Sequence, residues 1–426
     1  MSEMRQTAPA ATPAEFRYWE NLEKPWAGRL RGVGRRVLGF DPAPPDHVVE
    51  TLASMYYDAD PLAEAFVDEV YLGRSAAHGR AQLDQALTHG VASIPDAPRS
   101  LAALFDDIEH DPEWVDREQV ELGARVFRRY GTAVFRFAGA ITLEGYSENS
   151  VAKPLVLSGG YTGDSTRRRF LETASFWIAV SEPGGLAHGA PGRASAMRVR
   201  IMHVFVRRRL LDHPEWDLDA WGVPISQGDA LLTLMGGSFA PGVAMQAMGF
   251  RPSVREIEAM MHFWRYVGHL MGVRPRWYPR SLREAAQLTF VTLVKGARRS
   301  GDDGRQLCQS YLDAFAPELE AGRGRAGAGR AQRLAAAIEH GIHRGYTRFF
   351  MSGRAYRRNR LAPARLWALH PLAQAPFIFT AETLRRWFPP LEEVADRFAR
   401  SSRQRWLDRY MGGRPAEYRP TESFTR

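Results

Sequence analysis

The stretch MRVRIMHVFVRRRL, residues 197–210, places His203 in an apolar run with arginines before and after it. Its first five residues alternate between apolar and basic, as in a half-buried strand, but the alternation stops at Met202. No proline occurs in residues 192–213, and a segment of that length is long for a strand and ordinary for a helix. We therefore predict a helix, with Ser195 as its N-cap.

Three polar residues of this helix share one face. Arg200, His203 and Arg207 fall within about 60° of arc at roughly 100° per residue, and the turns around them are apolar. Buried guanidinium groups are costly unless they meet anions. Two hypotheses follow: a core histidine whose neighbouring arginines pair with Asp or Glu elsewhere, or a planar apolar ligand with an acidic rim, such as haem. Spacing alone favours the first.

A second polar cluster precedes this helix. Arg169, Glu172 and Thr173 are spaced i, i+3, i+4 in a segment rich in Phe, Trp and Ile, within about 100° on one face. Such a patch can supply an ion pair, a proton acceptor and a hydroxyl at a reaction site. It can equally be an intrahelical salt bridge, and by itself it favours that simpler interpretation.

Most of the chain has helical periodicity, and runs of alternating β-branched residues are nearly absent. We predict an all-α fold with an irregular, Pro-rich arm (1–45), a main helical domain (46–300) and a basic helical extension (301–426). Residues 321–331 are Gly- and Ala-rich and are predicted to be a linker. The periodic segments are residues 61–72, 100–108, 117–143, 165–182, 253–272, 285–297 and 390–412.

Composition excludes several classes of protein. The single cysteine, Cys308, rules out an intramolecular disulfide and a Cys-rich metal site. No C-x-x-C-H sequence is present, so any haem would be of the b type. Residues 230–250 carry no charge, but glycines and Pro241 interrupt them, which favours two buried helix ends over a membrane span. No secretory signal is visible, and we expect a cytoplasmic protein.

Charge is unevenly distributed. Residues 321–426 contain 21 arginines and no lysine against eight acidic residues, whereas residues 1–320 carry 36 basic and 40 acidic residues. The arginines alternate with apolar residues at helical spacing, which favours a solvated helical face over a nucleic-acid site. Peripheral contact with a membrane through this basic region stays open, nucleic acid is not an expected partner, and the oligomeric state is undetermined.

Six segments occur in order along the chain: DPEWVD (111–116), LGARVFRRYG (122–131), RFLET (169–173), MRVRIMHVFVR (197–207), WGVPISQGDALLTL (221–234) and FWRYVGHLMGV (263–273). Together they resemble a known family, which comprises the latex-clearing proteins (bacterial rubber oxygenases) and the fungal membrane-bound oxygenase that cleaves a prenyl side chain in mycophenolic acid biosynthesis. The likeness covers about residues 60–300.

The resemblance implies a globin-like helical core that holds haem b. It implies that His203 is the proximal iron ligand, with Arg200 and Arg207 at the propionates. Arg169 and Thr173 would lie on the distal side, where dioxygen meets an alkene. A second histidine, His269, is expected to be a core residue and not a haem contact.

Two departures limit what the resemblance implies. Rubber oxygenases that close their distal site use a lysine beside the threonine, and this chain has Glu172 there. Glu172 is therefore a candidate distal base or a partner of Arg169, and Glu148 is the other candidate base. The rubber enzymes are also exported, and since no export signal is visible, polyisoprene is not the expected substrate.

The sequence thus predicts a haem b-dependent oxygenase that uses dioxygen on an apolar, unsaturated small molecule, isoprenoid-like or fatty, with oxidative C=C cleavage as one outcome. The alternative is a non-catalytic haem-binding sensor or carrier. A third hypothesis is a haem-free helical protein whose basic extension binds anionic lipid or nucleic acid.

Overall fold

The fold is built from helices throughout the part of the chain that the computed structural model describes, residues 12–159, 164–317, 330–412, 414 and 416–418. No strand is formed within these ranges, where the sole β-pairing is an isolated bridge between Phe16 and Gly296. The all-α prediction is confirmed. The globin-like arrangement of the helices stays a prediction.

The α-helices, numbered in chain order, are α1 Tyr18–Leu22, α2 Pro25–Leu38, α3 Asp46–Ser54, α4 Pro61–Phe66, α5 Ala76–His89, α6 Arg99–Glu109, α7 Arg117–Arg129, α8 Ala133–Gly145, α9 Asn149–Leu157, α10 Asp164–Ser181, α11 Pro191–Leu211, α12 Leu218–Trp221, α13 Gln227–Gly237, α14 Phe239–Ala244, α15 Val254–Leu270, α16 Leu282–Lys295, α17 Gly301–Asp313, α18 Arg330–Phe350, α19 Gly353–Arg358, α20 His370–Trp387 and α21 Pro390–Met411. A π-helical segment, Val67–Leu72, continues α4, and a 3₁₀ segment, Arg365–Leu369, precedes α20.

Helices α7 and α15 form a closely packed pair. Gly123 of α7 approaches the backbone carbonyl of Ala259 in α15 so closely that a side chain would not fit. Phe127 contacts Phe263 and Trp264, with ring centroids 6.3 and 5.2 Å apart. Two of the sequence segments that carried the family resemblance therefore belong to the two helices of one tightly packed pair.

The neighbouring helices α10 and α11 form an antiparallel pair joined by residues 182–190. α11 begins at Pro191, because a proline at the first helical position loses no intrahelical hydrogen bond. The helical prediction for this stretch is confirmed, but the predicted cap was wrong: Ala190 is the N-cap, and Ser195 is buried inside the helix.

Two other expectations need correction. The arm 1–45, expected to be irregular, contains α1 and α2, because Pro25 opens α2 where a proline is tolerated and Gly39 closes it with a φ of 73°. The segment 117–143, expected as one helix, is divided into α7 and α8 at Gly131, whose φ of 56° interrupts the helix.

The segment Gln227–Met248, whose residues 230–248 carry no charge, is, among the described residues, the one stretch long and apolar enough to cross a membrane, and 44% of its most apolar window is buried inside the fold. The chain breaks at Ser238, with φ −120° and ψ −80°, between α13 and α14. The segment is therefore divided between two short helices, as the sequence predicted.

The C-terminal helices pack on the main body. Arg128 of α7 donates to Asp396 of α21 at 2.8 Å, and Phe135 of α8 contacts Trp406 with ring centroids 5.2 Å apart. Most of the predicted linker 321–331 lies outside the described residues, and α18 begins at Arg330. The division of the chain at residue 300 stays a prediction, while one hydrophobic cluster joins residues from both sides of it.

Candidate functional site

His203 lies in the middle of α11 and is only partly buried, although the residues that follow it are buried. Its ring makes no hydrogen bond with any residue that the structure describes. Burial, and to a lesser degree the positive charge of Arg207, lowers the pKa of His203 to about 4. The imidazole is therefore neutral at physiological pH, which is the form that binds metals.

Arg200 is fully engaged by carboxylates of the protein. Its Nε and Nη2 donate to the two oxygens of Asp60 at 2.7 and 2.9 Å, and its Nη1 donates to Asp107 at 2.9 Å. Burial alone would lower the pKa of Arg200, but the two aspartates raise it above its ordinary value. Gly272, with φ 75°, lies beside the pair, where a Cβ would overlap the Asp60 carboxylate.

Arg207 also has hydrogen-bond partners within the protein, mainly backbone carbonyls. Its Nε donates to Pro224 at 2.9 Å, its Nη2 to Ile225 at 2.6 Å, and its Nη1 to Glu64 at 3.3 Å. Glu64 lies in α4, four residues after Asp60, which caps that helix. Arg200 and Arg207 thus share one face of α11, as their spacing predicted, and on this face they meet residues of the protein.

The polar cluster of α10 is brought together as predicted. Arg169 Nη1 lies 3.2 Å from Glu172 Oε2, and Glu172 is buried. The hydroxyl of Thr173 donates to the carbonyl of Arg169 at 3.0 Å. The cluster therefore offers one buried carboxylate held by a guanidinium, and a hydroxyl oxygen that can still accept a hydrogen bond.

The α10 cluster and His203 lie at the same level along the helix pair. Ser175 of α10 and Ser195 of α11 both lie beside the phenol of Tyr418, so these two serines are close to each other across the helix pair. From these serines, His203 is about 12 Å further along α11 and Arg169 is about 9 Å back along α10, at about 1.5 Å per residue. Because the helices are antiparallel, these displacements have the same direction.

Glu148, the other candidate base, belongs to a different environment. It precedes α9, and its carboxylate lies against Gly296, where a Cβ would overlap it. It lines a cavity of about 20 Å³ together with Tyr56, Trp221 and Lys295. The structure gives it no contact with the α10 cluster, so Glu172 is the better placed of the two carboxylates.

Sequence reasoning missed Lys295, which is 6% exposed and lies 5.2 Å from the centroid of the Tyr56 ring. Burial alone would lower the pKa of Lys295, but Tyr56, Glu148 and Asp229 raise it above its ordinary value. One signal was available: Lys295 is one of only three lysines, and it follows the apolar segment AAQLTFVTLV. A long cationic side chain at the end of a core helix needs nearby carboxylates.

His269 is a core residue, as expected. It is 6% exposed and contacts the rings of Trp114 and Tyr266, with centroids 6.0 and 6.2 Å away. Burial, with a smaller effect of Arg274, lowers the pKa of His269 to about 4. No group of three or more side chains that could together hold a metal ion occurs among the described residues.

Comparison with a solved protein first defines the class of fold. The structure of latex clearing protein LCP in the closed state superposes with a TM-score of 0.60, covering 82% of this chain and 91% of that chain. Sequence identity over the superposition is 19%, so the likeness shows a shared helical fold.

The family follows from the sequence. The family model described as ER-bound oxygenase mpaB/B'/Rubber oxygenase, catalytic domain, matches residues 124–412, and the protein belongs to this family. The rubber oxygenase of Streptomyces sp. (strain K30) is 26% identical over 273 residues, which are 62% of this chain. The aligned region spans 64% of the length of that relative.

Proposed function

We propose that the protein is a haem b-dependent oxygenase that uses dioxygen on an apolar, unsaturated small molecule, with His203 as the iron ligand. The observation that carries the proposal is the state of His203: a neutral, partly accessible imidazole without a hydrogen-bond partner among the described residues, in a helix whose other polar groups are matched. Membership of an oxygenase family supports the same chemistry.

The residues present fit a haem group in part. The imidazole of His203 would hold the iron, and haem, when bound, would supply the dioxygen chemistry. Arg200 and Arg207 do not fit the role of propionate partners as they are placed, because each of their side-chain nitrogens already donates to Asp60, Asp107, Glu64 or the carbonyls of residues 224 and 225. We assign to these two arginines the task of fixing α11 against α4.

The α10 cluster is proposed to handle the substrate proton. Glu172 is a buried carboxylate, and a proton acceptor in that position can remove an allylic proton from an alkene. Arg169 positions the carboxylate through the 3.2 Å contact. The partly buried Thr173 lies one residue further along α10 and contributes its hydroxyl oxygen as a hydrogen-bond acceptor.

An absorption spectrum tests the iron ligand. The purified protein reconstituted with haemin is expected to show a Soret band that His203→Ala shifts or abolishes. Met202→Ala is the matched control, because Met202 is the preceding residue of the same helix and is also partly buried. A His203→Ala variant with unchanged haem content and an unchanged Soret band would contradict the assignment.

Oxygen consumption separates an oxygenase from a carrier or sensor. With isoprenoid or unsaturated fatty compounds, we expect substrate-dependent uptake of dioxygen that Glu172→Gln reduces at least 100-fold, in the usual range for loss of a general base. Haem content in Glu172→Gln should equal that of the wild type. Haem binding without any substrate-dependent oxygen uptake would favour the carrier.

A further inference from the structure

The last two long helices expose an unusual amount of apolar surface. No charged residue occurs in residues 371–381 of α20, and Phe377 in that segment is 78% exposed. Beyond it, Trp387 is 73% exposed and Phe398 of α21 is 68% exposed. We call this surface the hairpin face; its members are Leu372, Phe377, Leu384, Trp387, Phe388, Leu391, Val394 and Phe398, all at least 40% exposed.

Helical geometry aligns several members of the hairpin face. In α20, Phe377 and Leu384 are spaced i, i+7 and fall within about 20° of arc at roughly 100° per residue, and Phe388 directly follows the helix. In α21, Leu391 and Phe398 are spaced i, i+7, and the two helices meet at residues 388–390. Soluble proteins rarely expose a contiguous apolar surface of this kind unless it binds something.

An arginine cleft lies at the start of the same region. It is an open cleft of about 490 Å³ lined without any acidic residue. Within the described residues, none of its guanidinium groups has an ion pair, and two of the arginines, Arg360 and Arg365, have φ values of 51° and 50°. Such strained backbone is typical of sites that bind a ligand. The four arginines are Arg348, Arg357, Arg360 and Arg365.

The arginine cleft and the hairpin face are adjacent. Arg365 and Ala368 line the cleft, and the neighbouring Leu366 and Leu369 are 82% and 57% exposed. Leu369 directly precedes α20, and extending the helical angle of about 100° per residue places it within about 100° of Phe377. Exposed leucines therefore connect the cationic cleft to the apolar face.

We propose that the arginine cleft and the hairpin face together bind the surface of an anionic lipid bilayer. Exposed aromatic and aliphatic side chains next to arginines are the composition of segments that lie in the membrane interface. The guanidinium groups would bind lipid phosphates, and the apolar side chains would enter the acyl boundary. A nucleic acid would leave the apolar side chains unused, and a symmetric dimer through this surface would bring two cationic clefts together. The proposal does not depend on haem or on oxygenase activity.

Vesicle flotation of the full chain tests the proposal. We expect binding to vesicles of phosphatidylcholine mixed with phosphatidylglycerol and much weaker binding to phosphatidylcholine alone. Phe377→Ser and Trp387→Ser should each lower the partition coefficient about tenfold through lost apolar burial. Arg360→Gln and Arg365→Gln should each lower it about fivefold, and only this electrostatic part should weaken with salt.

Helix α2 offers matched controls. Val37 is 76% exposed, and Arg36 is an exposed arginine in the same helix. Val37→Ser and Arg36→Gln should leave the partition coefficient unchanged within twofold. All substituted side chains are exposed or line an open cleft, so thermal melts monitored by circular dichroism should show intact folding.

Two results would overturn the proposal. One is a wild-type protein that does not float with the anionic vesicles, or that floats equally well after the four substitutions. The other is a stable dimer in sedimentation velocity that Phe377→Ser dissociates, since the hairpin face would then be covered by a second copy of the chain.

Discussion

Arginines have different surroundings in two regions of this molecule. In α11, Arg200 and Arg207 are at most 4% exposed and meet carboxylates or carbonyls. In the arginine cleft, Arg360 and Arg365 line an open space with no acidic lining residue. The difference shows that arginine content alone says little about function. The role of an arginine depends on whether the fold itself supplies an acceptor for its guanidinium group or leaves the group open to a binding partner.

The largest expected effect is the loss of the charge that compensates Arg200 in α11. Asp60→Asn keeps the N-cap of α4 but removes the charge that faces Arg200. Leaving a buried guanidinium partly uncompensated is expected to lower the free energy of unfolding by about 3 kcal/mol. Denaturant unfolding curves measure this change.

The same helix provides the control for that prediction. Arg208 contacts Asp68 at 2.8 Å, with the two side chains 36% and 43% exposed. Asp68→Asn removes an exposed pair and should change the free energy of unfolding by no more than about 0.5 kcal/mol. Equal effects of the two substitutions would mean that burial does not distinguish the two pairs.

The next largest effect is the loss of stability when buried histidines are protonated. Burial lowers the pKa of His269 and His343 to about 4, below the usual value of 6.5. The unfolded chain therefore binds more protons than the folded chain between pH 6.5 and 4, and stability falls as the pH decreases through this window. We expect a loss of about 2 kcal/mol per histidine between pH 7 and 5.

Unfolding curves at pH 7 and 5 measure that loss. His343→Phe, whose new ring can stack on Phe315 as the imidazole does at 3.7 Å, should make the pH dependence less steep. A stability that stays level or rises on acidification, or a slope unaffected by the substitution, would show that these histidines are not held neutral by the fold.

The smallest expected effect concerns Arg360 in the arginine cleft. Arg360 has a φ of 51°, which favours glycine, and has no ion pair among the described residues. Arg360→Gly should therefore leave the free energy of unfolding unchanged or raise it by up to about 1 kcal/mol. A loss of more than about 1 kcal/mol, measured by the same unfolding curves, would mean that this arginine serves the fold and not a ligand.

Much of the fold could be predicted from periodicity and capping signals, and the failures have physical causes. The helix around His203 was predictable from its length, but Ser195 was mistaken for its cap because two start signals, Ser195 and Pro191, lie four residues apart. The break at Gly131 was missed because the apolar periodicity continues through it. Local sequence does not show which of two compatible signals the packed fold uses.

Only those features of the site that lie within a single helix could be predicted from the sequence. The shared face of Arg200 and Arg207 and the contact between Arg169 and Glu172 are properties of one helix each, and both are present. The partners Asp60 and Asp107 lie 140 and 93 residues from Arg200, so spacing could not identify them. The placement of Glu148 beside Lys295, away from the α10 cluster, depends on tertiary packing in the same way.

The iron ligand is the central claim, and chemical rescue tests it most directly. His203→Gly should lose the Soret band of the haemin-reconstituted protein, and added imidazole should restore it, because the free ligand can occupy the space that the side chain leaves. Met202→Gly, its neighbour in α11, should keep the band without imidazole. A His203→Gly variant with a wild-type spectrum, or one that imidazole does not alter, would contradict the assignment of His203.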